Sequence, residues 1–167
     1  MTEPADLGPT GGVVWSRPSE WERRRRPDSC VICTSGRSLD VVAETPTIWV
    51  TAARDAPLPG YVCVVAKQHV VEQFELTAVQ QATFWHDTMV VARPVADLVH
   101  PVKMNYEIHG NTLPHLHLNL FPRSIDDPYV GGPIDPRVAT FRRSDAELSA
   151  LQVVVSRSLV DARTDQT

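Results

Sequence analysis

"LPHLHLNLFPR", residues 113–123, alternates leucines with polar residues: His115, His117 and Asn119 stand two apart, with Leu116, Leu118 and Leu120 between and after them. Side chains alternate faces along a strand. The two histidines and the asparagine therefore share one face, and the leucines turn to a core on the other. Same-face neighbours lie roughly 6.5–7 Å apart, so polar groups at this spacing can address one phosphate-sized ligand. On the residues alone three readings stand: a half-exposed strand, a metal site using both histidines, or an active site. The preceding turn, "GNTL" at 110–113, adds backbone N–H groups and the Thr112 hydroxyl, which suit an anion.

Outward from this strand, "VKMNYEIH" reads as its neighbour, with Gly110-Asn111 as the turn between them and Pro122 as the end of the motif strand. "YVCVVA" is a near-continuous apolar run after Gly60, the pattern of a strand covered on both faces. "LDVVAETPTIWVTAA" reads as two strands split near Thr45-Pro46. "ELTAVQQATFWHDTMVVARPVADLVH" is the main helix, capped by Thr77, with Pro94 expected to kink it or end its first part. "SDAELSALQVVVSRSLVDA" is a second helix opened by a Ser144/Glu147 capping box. "SRPSEWERRRR" reads as a short basic helix with Ser16 or Ser19 as cap, followed by a loop carrying Cys30 and Cys33. Strands, helix, two strands and helix in that order predict an α+β fold, with helices on a mostly antiparallel sheet. The expected divisions are 1–27, flexible tail and short basic helix; 28–141, the main domain; and 142–167, C-terminal helix and tail.

The 167 residues suit one domain with its own core. A formal net charge of −4 argues against a nucleic-acid surface. The one basic cluster, Arg23 to Arg26, reads as a solvated helix face. No apolar run is long enough to span a membrane, and the first residues lack the apolar core of a secretory signal. Three cysteines, an odd count, fit a reducing, cytoplasmic setting in which a close pair such as Cys30 and Cys33 binds metal or is redox-active. Cys63 reads as a core residue. His86 and His100 read as surface or helix-end residues, and Phe84 and Trp85 as packing.

"GNTLPHLHLNLFPR" resembles the signature of the histidine triad (HIT) family of nucleotide hydrolases and transferases, with an asparagine in place of the third histidine. "GYVCVVAKQHVVEQFEL", residues 60–76, is similar to the family's Gly-strand-Lys-x-His segment, and "CVIC" sits where zinc-bearing members keep a cysteine pair. The resemblance spans about residues 28–125. It implies a HIT-like fold with a mostly antiparallel sheet and a long helix on it, commonly paired as a homodimer; the C-terminal helix, outside the resemblance, is expected to pack on the same sheet. It makes His117 the nucleophile on the α-phosphorus of a nucleotide derivative, giving a nucleotidyl-histidine that water or another acceptor resolves. Thr112 falls at the family's serine beside the leaving group, and Asn111 at its glutamine or asparagine. Asn119 would act on the phosphate as a donor that carries no charge. Asn105, His109 and Arg123 are candidates for the nucleotide's ribose or phosphates, and Arg123 is as well suited to anchoring the following loop. Asp55 lies near the place of the family's ribose-binding acid but out of register.

The same resemblance implies a structural zinc held by Cys30, Cys33, His69 and His115, two thiolates and two imidazoles in a closed tetrahedron. The expected activity is release of a nucleoside monophosphate from a nucleoside phosphoramidate or dinucleoside polyphosphate. Because galactose-1-phosphate uridylyltransferases carry a glutamine at the third position, a nucleotidyltransferase or phosphorylase is one alternative. A nucleotide-binding protein with little turnover is the other. The expected partner is a small nucleotide, not nucleic acid or a membrane.

Overall fold

In the computed structural model, residues 17–129 and 131–164 are described. The tail expected at the N-terminus and the cap proposed at Ser16 lie outside them. The motif strand is β6, His117–Arg123. The alternation read from the sequence holds: Leu118 and Leu120 join one buried cluster and Phe121 another, on the opposite side of the sheet. The chain before it runs as β1 (Val41–Glu44), β2 (Ile48–Thr51), β3 (Asp55–Ala56), β4 (Val62–Ala66) and β5 (Lys103–Glu107). Five strands pair antiparallel in the order β1-β2-β4-β6-β5. A short ribbon joins β3 to β7, Phe141–Arg142.

Two helices cover the first face. The long helix, Ala78–Val99, places Phe84, Val91, Ala92 and Val95 on the sheet. The C-terminal helix, Asp145–Thr164, adds Leu151, Val155 and Leu159. In chain order these are α3 and α4, after α1 (Pro18–Arg24) and α2 (Val31–Ser35). Both expected caps form: the Thr77 hydroxyl accepts from the Gln80 N–H at 3.3 Å, and Ser144 and Glu147 exchange bonds at 2.8 and 3.2 Å. The opposite face is closed by Cys30, Ile32, Leu58, Tyr61 and Ile134 over Trp49, Cys63, Val65 and Phe121. Cys63 is thus core, and β4 is covered on both sides as its composition requires.

Several local readings are corrected. Pro94 neither ends nor divides α3, which runs unbroken to Val99 and stops at His100 in the left-handed region. Pro122 does not end β6; it pairs with Met104. The Arg123 carbonyl accepts from Val102, so the backbone polar groups of Pro122 face the other way, beyond the last β4 pairing at Leu120. A missing N–H there breaks no ladder bond. Gly60 passes this point at φ +73, where an added Cβ would lie 2.8 Å from Val99 Cγ1 and 3.1 Å from Pro122 Cγ. The cap of α1 is Arg17 with Pro18 behind it, not Ser19. Cys33 sits in the short helix α2 rather than in a loop. Nor is the basic cluster a plain solvated face: Arg24 donates to the Thr112 carbonyl at 3.3 Å, and the Arg25 carbonyl accepts from His69 at 2.7 Å. Among the described residues no helix is long and apolar enough to cross a membrane.

Candidate active site and metal centre

The sheet face opposite α3 carries two polar centres, side by side. At the first, Cys30, Cys33, His69 and His115 converge from the α2 entry, the end of β4 and the approach to β6, with all four ligand atoms within 4.8 Å of one another. His69 Nε2 donates to the Arg25 carbonyl and His115 Nε2 to the Ala66 carbonyl, each at 2.7 Å. Carbonyls only accept, so both protons sit on Nε2 and both Nδ1 atoms present lone pairs. Those lone pairs face each other at 3.2 Å. Two acceptors so placed repel unless a cation lies between them. Cys33 Sγ lies 3.2 Å from His69 Nδ1 and 3.7 Å from His115 Nδ1, and Cys30 Sγ lies 3.4 Å from His115 Nδ1. A tetrahedral zinc with ordinary bond lengths would separate nitrogen pairs by about 3.3 Å and nitrogen–sulfur pairs by about 3.6 Å. The donor set therefore fits zinc in type, number and spacing. Burial, with the Cys30 thiol beside it, pushes the Cys33 thiol up to about 11, so a thiolate there needs a cation as partner.

The second centre is a cleft of about 250 Å³ lined by His109, Asn111, Thr112, His117, Asp135 and Arg137, among others. His117 lies at its floor, where β6 begins. Its Nδ1 donates to the His115 carbonyl at 2.7 Å, which fixes the tautomer and leaves the Nε2 lone pair for the cleft. Burial lowers its pKa, against the raising effect of the carbonyl, and His109 lowers it further. The ring is thus neutral and nucleophilic near pH 7. The Gly110–Thr112 turn forms one wall. A second hollow, lined by Trp21, Val71 and Glu72, opens on the far side of Gly110 and Asn111.

The remaining candidates separate. Asn119 is 1% exposed and does not line the cleft. Its Oδ1 accepts from the Tyr61 hydroxyl at 2.8 Å, and its Nδ2 donates to the Glu107 carbonyl at 3.2 Å. Arg123 grips Asp127 through two bonds of 2.7 and 2.8 Å and also donates to the Tyr129 carbonyl, so it anchors the loop after β6. Asn105 and Arg123 border a separate concavity that shares His109 and Pro133 with the cleft. Asp55 is engaged with Arg142 at 2.6 Å. Phe84 is core, and Trp85 is partly exposed with its indole N–H on Gln73 at 3.1 Å.

Sequence reasoning missed four residues here. Glu107 lies 3.0 Å from His109 Nε2 and accepts the Ile134 N–H at 3.2 Å. The alternation of Asn105, Glu107 and His109 in "NYEIH" was the available signal. Tyr61, which stacks on Phe121 at 5.0 Å, closes the floor around Asn119. Asp135 and Arg137 reach the cleft from a Pro- and Gly-rich segment whose path carries no periodicity.

Solved histidine triad proteins share the fold. One from Bradyrhizobium japonicum is 23% identical over 71% of this chain and 88% of its own, with a TM-score of 0.63. One from Marinobacter aquaeolei VT8 is 22% identical over 72% and 88%, with a TM-score of 0.61. A Zn-bound histidine triad family protein from Mycobacterium smegmatis is 19% identical over 84% and 99%, with a TM-score of 0.57. No curated protein matches the chain. The HIT domain matches residues 37–125, more than half of the sequence and the whole stretch from β1 through β6, so the chain belongs to the HIT domain family.

Proposed function

We propose that the protein is a nucleotide hydrolase that releases a nucleoside monophosphate from a nucleoside phosphoramidate or a dinucleoside polyphosphate. His117 is the nucleophile. The observation that carries this reading is the 2.7 Å bond from His117 Nδ1 to the His115 carbonyl, which leaves Nε2 unprotonated at the floor of the cleft. The lone pair attacks the α-phosphorus, the leaving group departs with its electron pair, and water then cleaves the phosphorus–nitrogen bond. Backbone N–H groups of the 110–112 turn, with Asn111 and Thr112, stand where charge grows on the phosphoryl oxygens and the leaving atom. His109 faces the same cleft on the substrate side. Asn105 and Arg123 border the adjoining concavity, where a ribose or an outer phosphate would lie. Asn119 serves from beneath, by holding Tyr61 and the Glu107 backbone.

Zinc is the proposed resident metal, held by Cys30, Cys33, His69 and His115. It would supply no chemistry to the substrate: four protein ligands close its sphere, and its part is to pin the α1–α2 segment and the His115 backbone that orients His117. The expected setting is cytoplasmic, where the Cys30 and Cys33 thiols stay reduced and able to hold a metal. A homodimer is the expected assembly.

The test is a product assay with adenosine phosphoramidate and diadenosine tetraphosphate, each with and without inorganic phosphate. AMP release that disappears in His117→Ala supports the hydrolase. ADP formed only with phosphate makes the protein a phosphorylase. Binding of nucleotide with no product from any pair rejects both and leaves a binding protein.

A further inference from the structure

We propose that His109, oriented by Glu107, is the general acid and base of the reaction at His117. The inference rests on the reading of His117 as the nucleophile and deepens it. A two-step transfer through a histidine needs one group that gives a proton to the departing atom and then takes one from water. The third position of the motif cannot do this. Asn119 does not titrate, is 1% exposed, and has both ends of its amide engaged.

The other groups around the cleft serve no better. Asp135 is bound by the Arg137 guanidinium at 2.7 and 2.8 Å, which holds its carboxyl below the ordinary range. It stays ionised and has no proton to give. Arginine and threonine side chains have no acid–base role at neutral pH, and beside the nucleophile the cleft is lined by one further imidazole, that of His109. It lines the cleft with His117, close enough that its charge lowers the His117 pKa. Glu107 Oε2 accepts a hydrogen bond from His109 Nε2 at 3.0 Å and is itself fixed by the Ile134 N–H at 3.2 Å. A carboxylate so placed holds one tautomer and stabilises the imidazolium, as the acid of a Ser-His-Asp triad does. Nε2 is thereby committed, and Nδ1 is the atom left for exchange. Asn119 enters this arrangement indirectly, because its amide holds the backbone of Glu107.

The proton count closes. His117 Nε2 bonds to the α-phosphorus while the bond to the leaving atom breaks, and the proton on His109 Nδ1 passes to that atom. The neutral Nδ1 then takes a proton from water as its oxygen bonds to phosphorus. The phosphorus–nitrogen bond breaks, and its electron pair returns to His117. Net, one water is consumed, and the monophosphate and the protonated leaving group are released.

Leaving-group dependence separates this role from a structural one. Two probes suffice: an adenosine 5′-phosphoramidate of an alkylamine, which leaves only when protonated, and adenosine 5′-(p-nitrophenyl) phosphate, whose phenolate leaves unaided. His109→Asn should slow release of the amine by about 10²- to 10⁴-fold. With the nitrophenyl ester it should keep most of the first-turnover burst but stall as adenylyl-His117, because water is no longer deprotonated. His109→Gln guards against a folding artefact, and Glu107→Gln should give the same pattern with a smaller loss. Equal losses on both probes, or none on either, overturn the inference while leaving His117 as nucleophile. Absence of a burst and of an adduct in the unmutated protein overturns both.

Discussion

Asn119 and His117 are two residues apart on one strand, yet their surroundings divide their tasks. His117 has one nitrogen fixed and one open to the cleft; Asn119 has neither end of its amide open. Asn119→Ala would strip a partner from the buried Tyr61 hydroxyl and from the Glu107 carbonyl. Each unsatisfied group costs roughly 1–3 kcal/mol, so denaturant unfolding should show a loss of about 2–6 kcal/mol. Asn119→His is the more telling change. If the asparagine were merely a lost catalytic histidine, restoring the ring would raise turnover. The burial of Asn119 beneath Tyr61, itself stacked on Phe121, predicts the opposite: lower stability and no gain in AMP release. The alternation that places Asn119 on the site face was legible in "HLHLNL". That its position is sealed was not, because the seal comes from Tyr61, 58 residues away in sequence.

Among the elements, the main strands, the long helix and the Thr77 and Ser144 caps were legible, because each rests on local periodicity or a local side-chain bond. The misreadings fell where a distant partner decides. Pro122 is tolerated because the β4 pairing reaches only Leu120, and the arginine cluster is held by Thr112 and His69. The loop after β6 depends on Arg123. That guanidinium holds the Asp127 carboxyl below its ordinary range. The folded-state pKa therefore lies below the unfolded one, near 3.9. The pair's contribution is complete above the unfolded value and is lost as pH falls through the folded one. The stability gap between the protein and Asp127→Asn should accordingly be constant from pH 6 to about pH 5 and shrink in more acid solution; a gap independent of pH down to full protonation would refute the pair's role. Helix α4 lies beyond the family match yet supplies Leu151, 2% exposed, to the main core. Leu151→Ala should cost about 2–5 kcal/mol. A loss near zero would make α4 an appendage rather than part of the core.

For the molecule as a whole, the Cys30, Cys33, His69 and His115 cluster joins the N-terminal segment to the strand that carries His117. Protein purified without added zinc should contain close to one equivalent. Chelation, or Cys30→Ser, should lower Tm and raise amide exchange in residues 17–36 and around His115, because metal binding energy here is folding energy. An unchanged Tm under chelation, with negligible zinc at purification, would remove the metal from the account. That Cys30, Cys33, His69 and His115 gather in one place was implied by the resemblance. Their fit was not, because it depends on the Arg25 and Ala66 carbonyls that turn both Nδ1 atoms inward.

If His117 carries the nucleotide between the two steps, the adduct can be trapped on it. The protein would be mixed with adenosine 5′-(p-nitrophenyl) phosphate, quenched within the first turnover, digested, and its peptides weighed. The expected result is a gain of one adenylyl group on the peptide containing His117, absent in His117→Ala. An adenylyl group on another residue, or nitrophenolate release that persists unchanged in His117→Ala, would contradict it.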